Sequence, residues 1–130
     1  MQVVQVTDCE AISRVLSIVT AEDARHMLQA ASHKCYGIYC DETLVSVTIV
    51  RECDYCTGCF EVYYLGTMPE YRRRGYARGL VNYLRSRQRK IWITVEPDNV
   101  AAAQLLQATK FLLVNHVQHK QQWCYVPVEV

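Results

Sequence analysis

The chain has 130 residues, 51% of them hydrophobic and 21% charged, with a formal net charge of +1. That length and apolar content point to one packed domain over residues 1–130 and exclude a disordered chain, while the charge balance argues against general nucleic-acid binding and no apolar run approaches the roughly 20 residues of a membrane helix. Seven cysteines, an odd count, and an N-terminus without the charged, apolar and small-residue order of a signal peptide point to reduced thiols in the cytoplasm or nucleus, not to a disulfide framework.

Met1 to Val6 reads as a short strand. Thr7 and Glu10 form a capping-box pattern, and Ile12, Val15, Leu16 and Val19 follow at helical spacing. A second helix is expected after Thr20, with Ala24, Met27, Leu28 and Ala31 on its apolar face. Cys35 to Cys40 and Leu44 to Glu52 read as a hairpin around Asp41-Glu42-Thr43. After a loop from Asp54 to Gly58, Phe60 to Thr67 is the third strand of the meander.

A helix follows Gly75, burying Ala77, Leu80, Val81 and Leu84 and turning Asn82, Arg85 and Arg89 to water. Ile91 to Glu96 is a strand, broken by Pro97-Asp98, and Asn99 is placed to cap a helix that carries Ala102, Leu105, Leu106 and Thr109. Leu112 to His119 and Trp123 to Val130 complete a hairpin around Lys120-Gln121-Gln122. The order is β-α-α-β-β-β-α-β-α-β-β, an α/β chain with an antiparallel meander first and a crossover helix later.

The segment Arg72-Arg73-Arg74-Gly75-Tyr76-Ala77 stands where a strand hands over to a helix N-terminus. Free backbone N–H groups and the positive end of the helix dipole suit an anionic phosphate there. Glycine lets the backbone approach a ligand without a Cβ in the way. The neighbouring Arg78, Arg85, Arg87, Arg89 and Lys90 add to a cluster of basic residues that signals a local anion site on a near-neutral chain.

Two other groupings carry less. Cys53-x-x-Cys56-x-x-Cys59 has half of a paired zinc-knuckle spacing, so free thiols or surface oxidation are the expected state and no metal is assigned. His116 and His119, three apart on an expected strand, face opposite sides and make no two-ligand site.

The element order, with an arginine-glycine turn at that place, resembles the GNAT superfamily of acetyl-CoA-dependent N-acetyltransferases. A second pattern of that family, Asn-x-x-Ala-x-x-Leu-Tyr ending in Gly-Phe, appears as Asn99, Ala102, Leu105 and Leu106, then Lys110 and Phe111. The resemblance covers nearly the whole chain and implies a mixed, mostly antiparallel sheet flanked by four helices. It implies acetyl-CoA as acyl donor, its pyrophosphate on the amides of Arg73, Arg74, Gly75, Tyr76, Ala77 and Arg78, with charge from the side chains of Arg72 to Arg74. It implies pairing of the pantetheine arm along Leu65-Gly66-Thr67, where the family parts its sheet and where Gly66 suits a bulge or a close approach. Asn99 is implied as a contact to the CoA arm, and Glu61 as the general base.

Two positions depart from the family pattern: Leu106 stands where a tyrosine acid is usual, and Lys110 where glycine is usual. Tyr63, Tyr64, Cys124 and Tyr125 are the alternative proton donors. The implied acceptor is a small amine or a protein lysine or N-terminus, bound between the two early helices and the late hairpin. Glu22, Asp23, Asp54 and Glu96 are available there to attract a cation. The alternative is a catalytically degenerate domain of the same fold that binds acyl-CoA or a protein.

Overall fold

The computed structural model describes residues 1–30, 33–52 and 58–127. Strand β1 (Val3–Gln5) leads to helices α1 (Cys9–Val15) and α2 (Ala21–Gln29). A meander follows, β2 (His33–Cys40), β3 (Thr43–Glu52) and β4 (Phe60–Thr67), rich in the β-branched residues that fit a pleated, buried surface. A short 3-10 turn (Pro69–Tyr71) leads to α3 (Tyr76–Ser86), then β5 (Ile91–Val95), α4 (Val100–Ala108), β6 (Leu112–Val117) and β7 (Lys120–Tyr125). Among the described residues these seven strands form one sheet in the order β1-β2-β3-β4-β5-β7-β6. Its one parallel pairing is β4 with β5, because α3 carries the chain back across the sheet between them.

Alternation along the strands sends apolar side chains to both faces. On one face α1 and α2 cover Cys35, Leu44, Val47 and Ile49; on the other α3 and α4 cover Tyr36, Ile38, Val50, Phe60, Ile91 and Ile93. Gly37 sits where no side chain fits. A Cβ there would lie 2.7 Å from Leu44 Cδ1, 2.8 Å from Val6 Cγ2 and 3.1 Å from the Ser46 carbonyl oxygen. The carbonyl is held by the sheet and cannot step aside. Gly37→Ala is therefore expected to lower stability by about 1–3 kcal/mol in denaturant unfolding, the usual cost of overpacking.

Several local expectations shift. The cap of α1 is Asp8, whose carboxylate accepts from Ala11 N at 3.1 Å, not Thr7. That helix ends at Val15, yet Leu16 and Val19 are buried as their spacing implies. The capping box forms instead at the start of α2, between Thr20 and Asp23. Ala31 lies outside the described residues. Thr43 pairs within β3 rather than turning, and β2 starts earlier, at His33.

The late hairpin turns at Gln118 and His119, both at positive φ (51° and 66°), so the loop has two residues and Lys120 to Gln122 pair in β7. Such turns usually advertise themselves with Asn-Gly or Gly, which this one lacks. His119 is consequently in a turn and not on a strand. Arg85 and Arg89 stack on Tyr125 and Phe60 at 4.9 and 4.8 Å instead of standing free in water.

Lys110 fulfils the role a glycine would play at the end of α4. Its φ is 72°, Phe111 N donates to Leu106 O at 2.9 Å and Lys110 N donates to Gln107 O at 3.2 Å. Those two bonds are the 6→1 and 5→2 pair of a Schellman motif. The motif forms with a side chain in the left-handed region, so Lys110→Gly is expected to raise stability by about 1 kcal/mol, readable as a higher urea midpoint.

Candidate active site

The turn before α3 is shaped by two left-handed residues, Arg73 (φ 63°) and Gly75 (φ 88°). Gly75 is the N-cap of α3 and offers no side-chain cap. The amides of Tyr71 and Arg72 close the preceding turn on Met68 and Pro69, and helical bonding resumes with Gly79 N to Gly75 O at 2.9 Å. Between them, the six amides of residues 73–78 donate to no acceptor among the described residues. A Cβ on Gly75 would meet nothing within 4 Å, so the space in front of the turn is open. Arg74 lies over the Tyr71 ring at 5.3 Å, and Arg73 and Arg78 are exposed. Arg72 is committed elsewhere, its Nε donating to Thr67 O at 3.1 Å.

Strand β4 parts from its parallel neighbour just before this turn. It pairs with β3 along its whole length but with β5 only at Phe60, Glu61 and Val62. The bulge that starts the divergence is at Tyr63, which the register skips between Ile49↔Tyr64 and Val50↔Val62. Of the two roles open to Gly66, bulge or close approach, the bulge falls at Tyr63 instead and the close approach is the one present. Gly66 is explained by packing, since a Cβ there would stand 2.6 Å from Leu16 Cδ2.

Thr48 Oγ1 donates to Tyr64 O at 2.9 Å and Ser46 Oγ to Gly66 O at 3.1 Å, both from the β3 side. Alternation then turns the amide and carbonyl of Leu65 toward the open side. Of the segment Leu65-Gly66-Thr67, Leu65 presents its backbone to the gap, Gly66 does not, and the Thr67 carbonyl already accepts from Arg72.

Glu61 lies on the α1/α2 face where β4 and β5 are still joined, opposite Arg51 on one side and Trp92 on the other. Arg51 Nη2 contacts Glu61 Oε2 at 3.2 Å, with 24% and 28% of the two side chains exposed. Arg51 also covers the Tyr63 ring at 5.3 Å, and His33 meets that ring edge-on at 5.1 Å. Burial, and then the charge of Arg51, hold the His33 imidazole below its ordinary value against the pull of Glu61, so it is neutral at pH 7. The indole Nε1 of Trp92 is buried with no hydrogen-bond partner among the described residues. Sequence reasoning overlooked His33, Arg51 and Trp92. Only strand register brings them beside Glu61, and no local motif encodes register.

Leu106 is 1% exposed and packs in the α3/α4 core. A tyrosine there would have to displace packed neighbours, so Leu106→Tyr is expected to cost about 1–3 kcal/mol in stability, measured by urea unfolding. Tyr125 is buried against Phe111, 5.6 Å between rings, and Cys124 is buried with its thiol pushed up by burial against the opposing charge of Lys90. Tyr63 and Tyr64 are the more accessible hydroxyls, on the α1/α2 face beside the bulge.

Asn99 caps α4, accepting from Ala102 N at 3.1 Å, and is exposed. Of the acids proposed to draw a cation, Asp23 is bound into its capping box, Glu22 pairs with His26 at 3.7 Å and Glu96 with Lys120 at 3.4 Å. Asp54, Cys53 and Cys56 lie outside the described residues. Cys59 is disulfide-bonded, so of the two expected states, free thiol or oxidised, it is in the oxidised one. Cys9, Cys35, Cys40 and Cys124 are free.

A mixed sheet that splits between two parallel strands, with an uncapped helix start at the mouth of the split, is the acetyltransferase type of α/β fold. The chain belongs to the Acetyltransferase (GNAT) family, whose model matches residues 8–111. Aminoglycoside 6'-acetyltransferase type Ii superposes with a TM-score of 0.83 at 13% identity, over 100% of this chain and 99% of its own. A chimera of the spermidine N-acetyltransferase SpeG from Vibrio cholerae and hSSAT gives 0.77 at 14%, over 97% and 96%. The ribosomal-protein-S18-alanine N-acetyltransferase from Escherichia coli gives 0.77 at 15%, over 99% and 94%. At these identities the likeness is one of fold. No curated protein matches the chain. No helix among the described residues is long and apolar enough to cross a membrane.

Proposed function

We propose that this protein is an acetyl-CoA-dependent N-acetyltransferase in which a primary amine attacks the thioester directly. The observation that carries the reading is the run of six unengaged amides at residues 73–78 beside the free edge of β4. Those amides, the α3 dipole and the side chains of Arg73, Arg74 and Arg78 suit a diphosphate. The free backbone of Leu65 suits an amide-bearing arm laid along β4 like another strand. Acetyl-CoA has both groups and, when bound, supplies the activated acetyl thioester. Arg72 acts by holding the Thr67 carbonyl and so the turn; Asn99 remains a contact for the CoA arm from the start of α4.

Glu61 is the general base of this reading. An amine with pKa near 10.4 is about three pH units from losing its proton at neutrality, a penalty of about 4 kcal/mol. Glu61 Oε2 is engaged by Arg51, so the proton goes to the other oxygen directly or through water. The neutral His33 beside it is the next acceptor in line. The departing thiolate needs little help because a thiol pKa is near 8.5, so the buried Leu106 is tolerated; Tyr63 and Tyr64 are the nearest phenols to the bulge.

The three structural relatives named above carry names that give their acceptors as spermidine, an aminoglycoside and a ribosomal-protein alanine. All three acceptors are amines, which supports an amine here and leaves the small-molecule and protein classes to experiment. A panel of polyamines, aminoglycosides, lysine peptides and free N-terminal peptides with acetyl-CoA, read by release of coenzyme A thiol, tests the reading. Turnover of one class supports it. Coenzyme A binding without release from any acceptor favours the degenerate binder, for which the leucine at position 106 is the specific argument. No binding of coenzyme A overturns both. The working location is the cytoplasm or nucleus, with no nucleic-acid or membrane partner.

A further inference from the structure

We propose that the cavity at the C-terminal end of α3 is a second anion site, built for a compact dianion such as a small dicarboxylate or a phosphate monoester. The cavity has a volume of about 180 Å³ and lies between the start of β2, the end of β3, the start of β4 and the residues just past α3. Lys34, Tyr36, Glu52, Phe60, Arg87 and Arg89 are among its lining. It is separated from the glycine turn by the length of α3, eleven residues or about 16 Å.

Three cations and one carboxylate among the described residues face this space, and they are not evenly matched. Glu52 takes Arg89, with Oε1 to Nη1 at 3.1 Å. Arg87 is held by a neutral phenol, its Nη1 donating to Tyr83 Oη at 3.4 Å, and Tyr36 lines the same space. Neither Arg87 nor Lys34 forms an ion pair with a carboxylate among the described residues. Two positive charges are therefore left facing one concave space. Phe60 forms its floor, with Arg89 at 4.8 Å and Arg87 at 6.0 Å over the ring. Stacking on that ring and bonding to the Tyr83 phenol hold the Arg87 guanidinium in place before a ligand arrives, which lowers the entropy lost on binding.

The volume equals roughly six waters at about 30 Å³ each, enough for a dicarboxylate of a few carbons or a phosphate monoester and too small for a nucleotide. The negative end of the α3 dipole works against an anion here, but Arg87 N and Gln88 N close on Leu84 O and Arg85 O at 3.1 Å each, so those two carbonyls are already engaged. The inference is independent of the transferase reading.

Calorimetric titration of the full chain with succinate and with inorganic phosphate, against sodium chloride at matched ionic strength, tests it. Saturable one-to-one binding is expected, weakened about tenfold in Arg87→Gln and, separately, in Lys34→Gln, the usual loss for a charge-assisted hydrogen bond. The affinity is expected to be unchanged in Arg74→Gln and with coenzyme A present. Preference for succinate assigns a carboxylate ligand, and preference for phosphate a phosphate ester. Absence of saturable binding, affinity in both cavity variants equal to that of the parent chain, or loss in Arg74→Gln or on adding coenzyme A overturns the proposal. Lys34→Gln, at an exposed position, keeps the test decisive if Arg87→Gln is poorly folded.

Discussion

Gly75→Glu is expected to weaken coenzyme A binding by about 100-fold or more while the protein stays folded. The expected loss combines a like charge placed among the phosphate-binding amides with a Cβ in the path of the ligand. The open space around Gly75 means that the new side chain meets no protein atom within 4 Å of its Cβ. Two effects on stability oppose each other. A side chain at φ 88° is strained by about 1–2 kcal/mol, while a carboxylate at a helix N-terminus gains about 0.3–1 kcal/mol. Gly75→Ala separates them, carrying the strain without the charge, and should retain binding within about tenfold. Titration of both variants with coenzyme A is the measurement. Affinity in Gly75→Glu equal to that of the parent chain would place the diphosphate somewhere other than this turn.

Glu61→Gln is expected to lower turnover by about 100- to 1,000-fold with coenzyme A affinity unchanged, the range a positioned general base supplies. Glutamine keeps the shape and most of the contact with Arg51, so unfolding should move little. The pH profile gives a readout that a purely structural role would not. Without the base, only the neutral fraction of the amine reacts. That fraction rises tenfold for each pH unit up to the amine pKa near 10.4, so the variant should recover steadily with pH. A loss of less than threefold, with the same pH profile as the parent, would transfer the role to another acceptor such as His33.

Local chemistry explains why much of the architecture was legible from residue order. The β-branched run from Thr43 to Val50, the helical spacing of Leu80, Val81 and Leu84 and the Thr20 and Asn99 caps are contained within a few neighbours each. The arginine-glycine turn is of the same kind: a left-handed residue before a helix shows itself as glycine. Where the same geometry was built from other residues, the signal vanished. Gln118 and His119 make a two-residue hairpin turn, and Lys110 closes a Schellman motif, without any of the residue types that usually mark them.

The sequence by itself therefore determined the order of elements, the faces they bury and the helix start that leaves six amides without partners. These depend on interactions between near neighbours, whose energies the residue types carry. Only the tertiary structure decided that β4 bulges at Tyr63 and not at Gly66, that Gly66 makes room for Leu16, and that Arg51 sits against Glu61 with His33 and Trp92 on the same row. Each of those depends on register between strands far apart in the chain. A shift of one residue would turn every one of these side chains to the other face. The pairing of Glu52 with Arg89 across 37 positions, which leaves Arg87 and Lys34 uncompensated, is of the same origin. Charge counted along a chain says how many ions there are; packing says which of them neutralise one another.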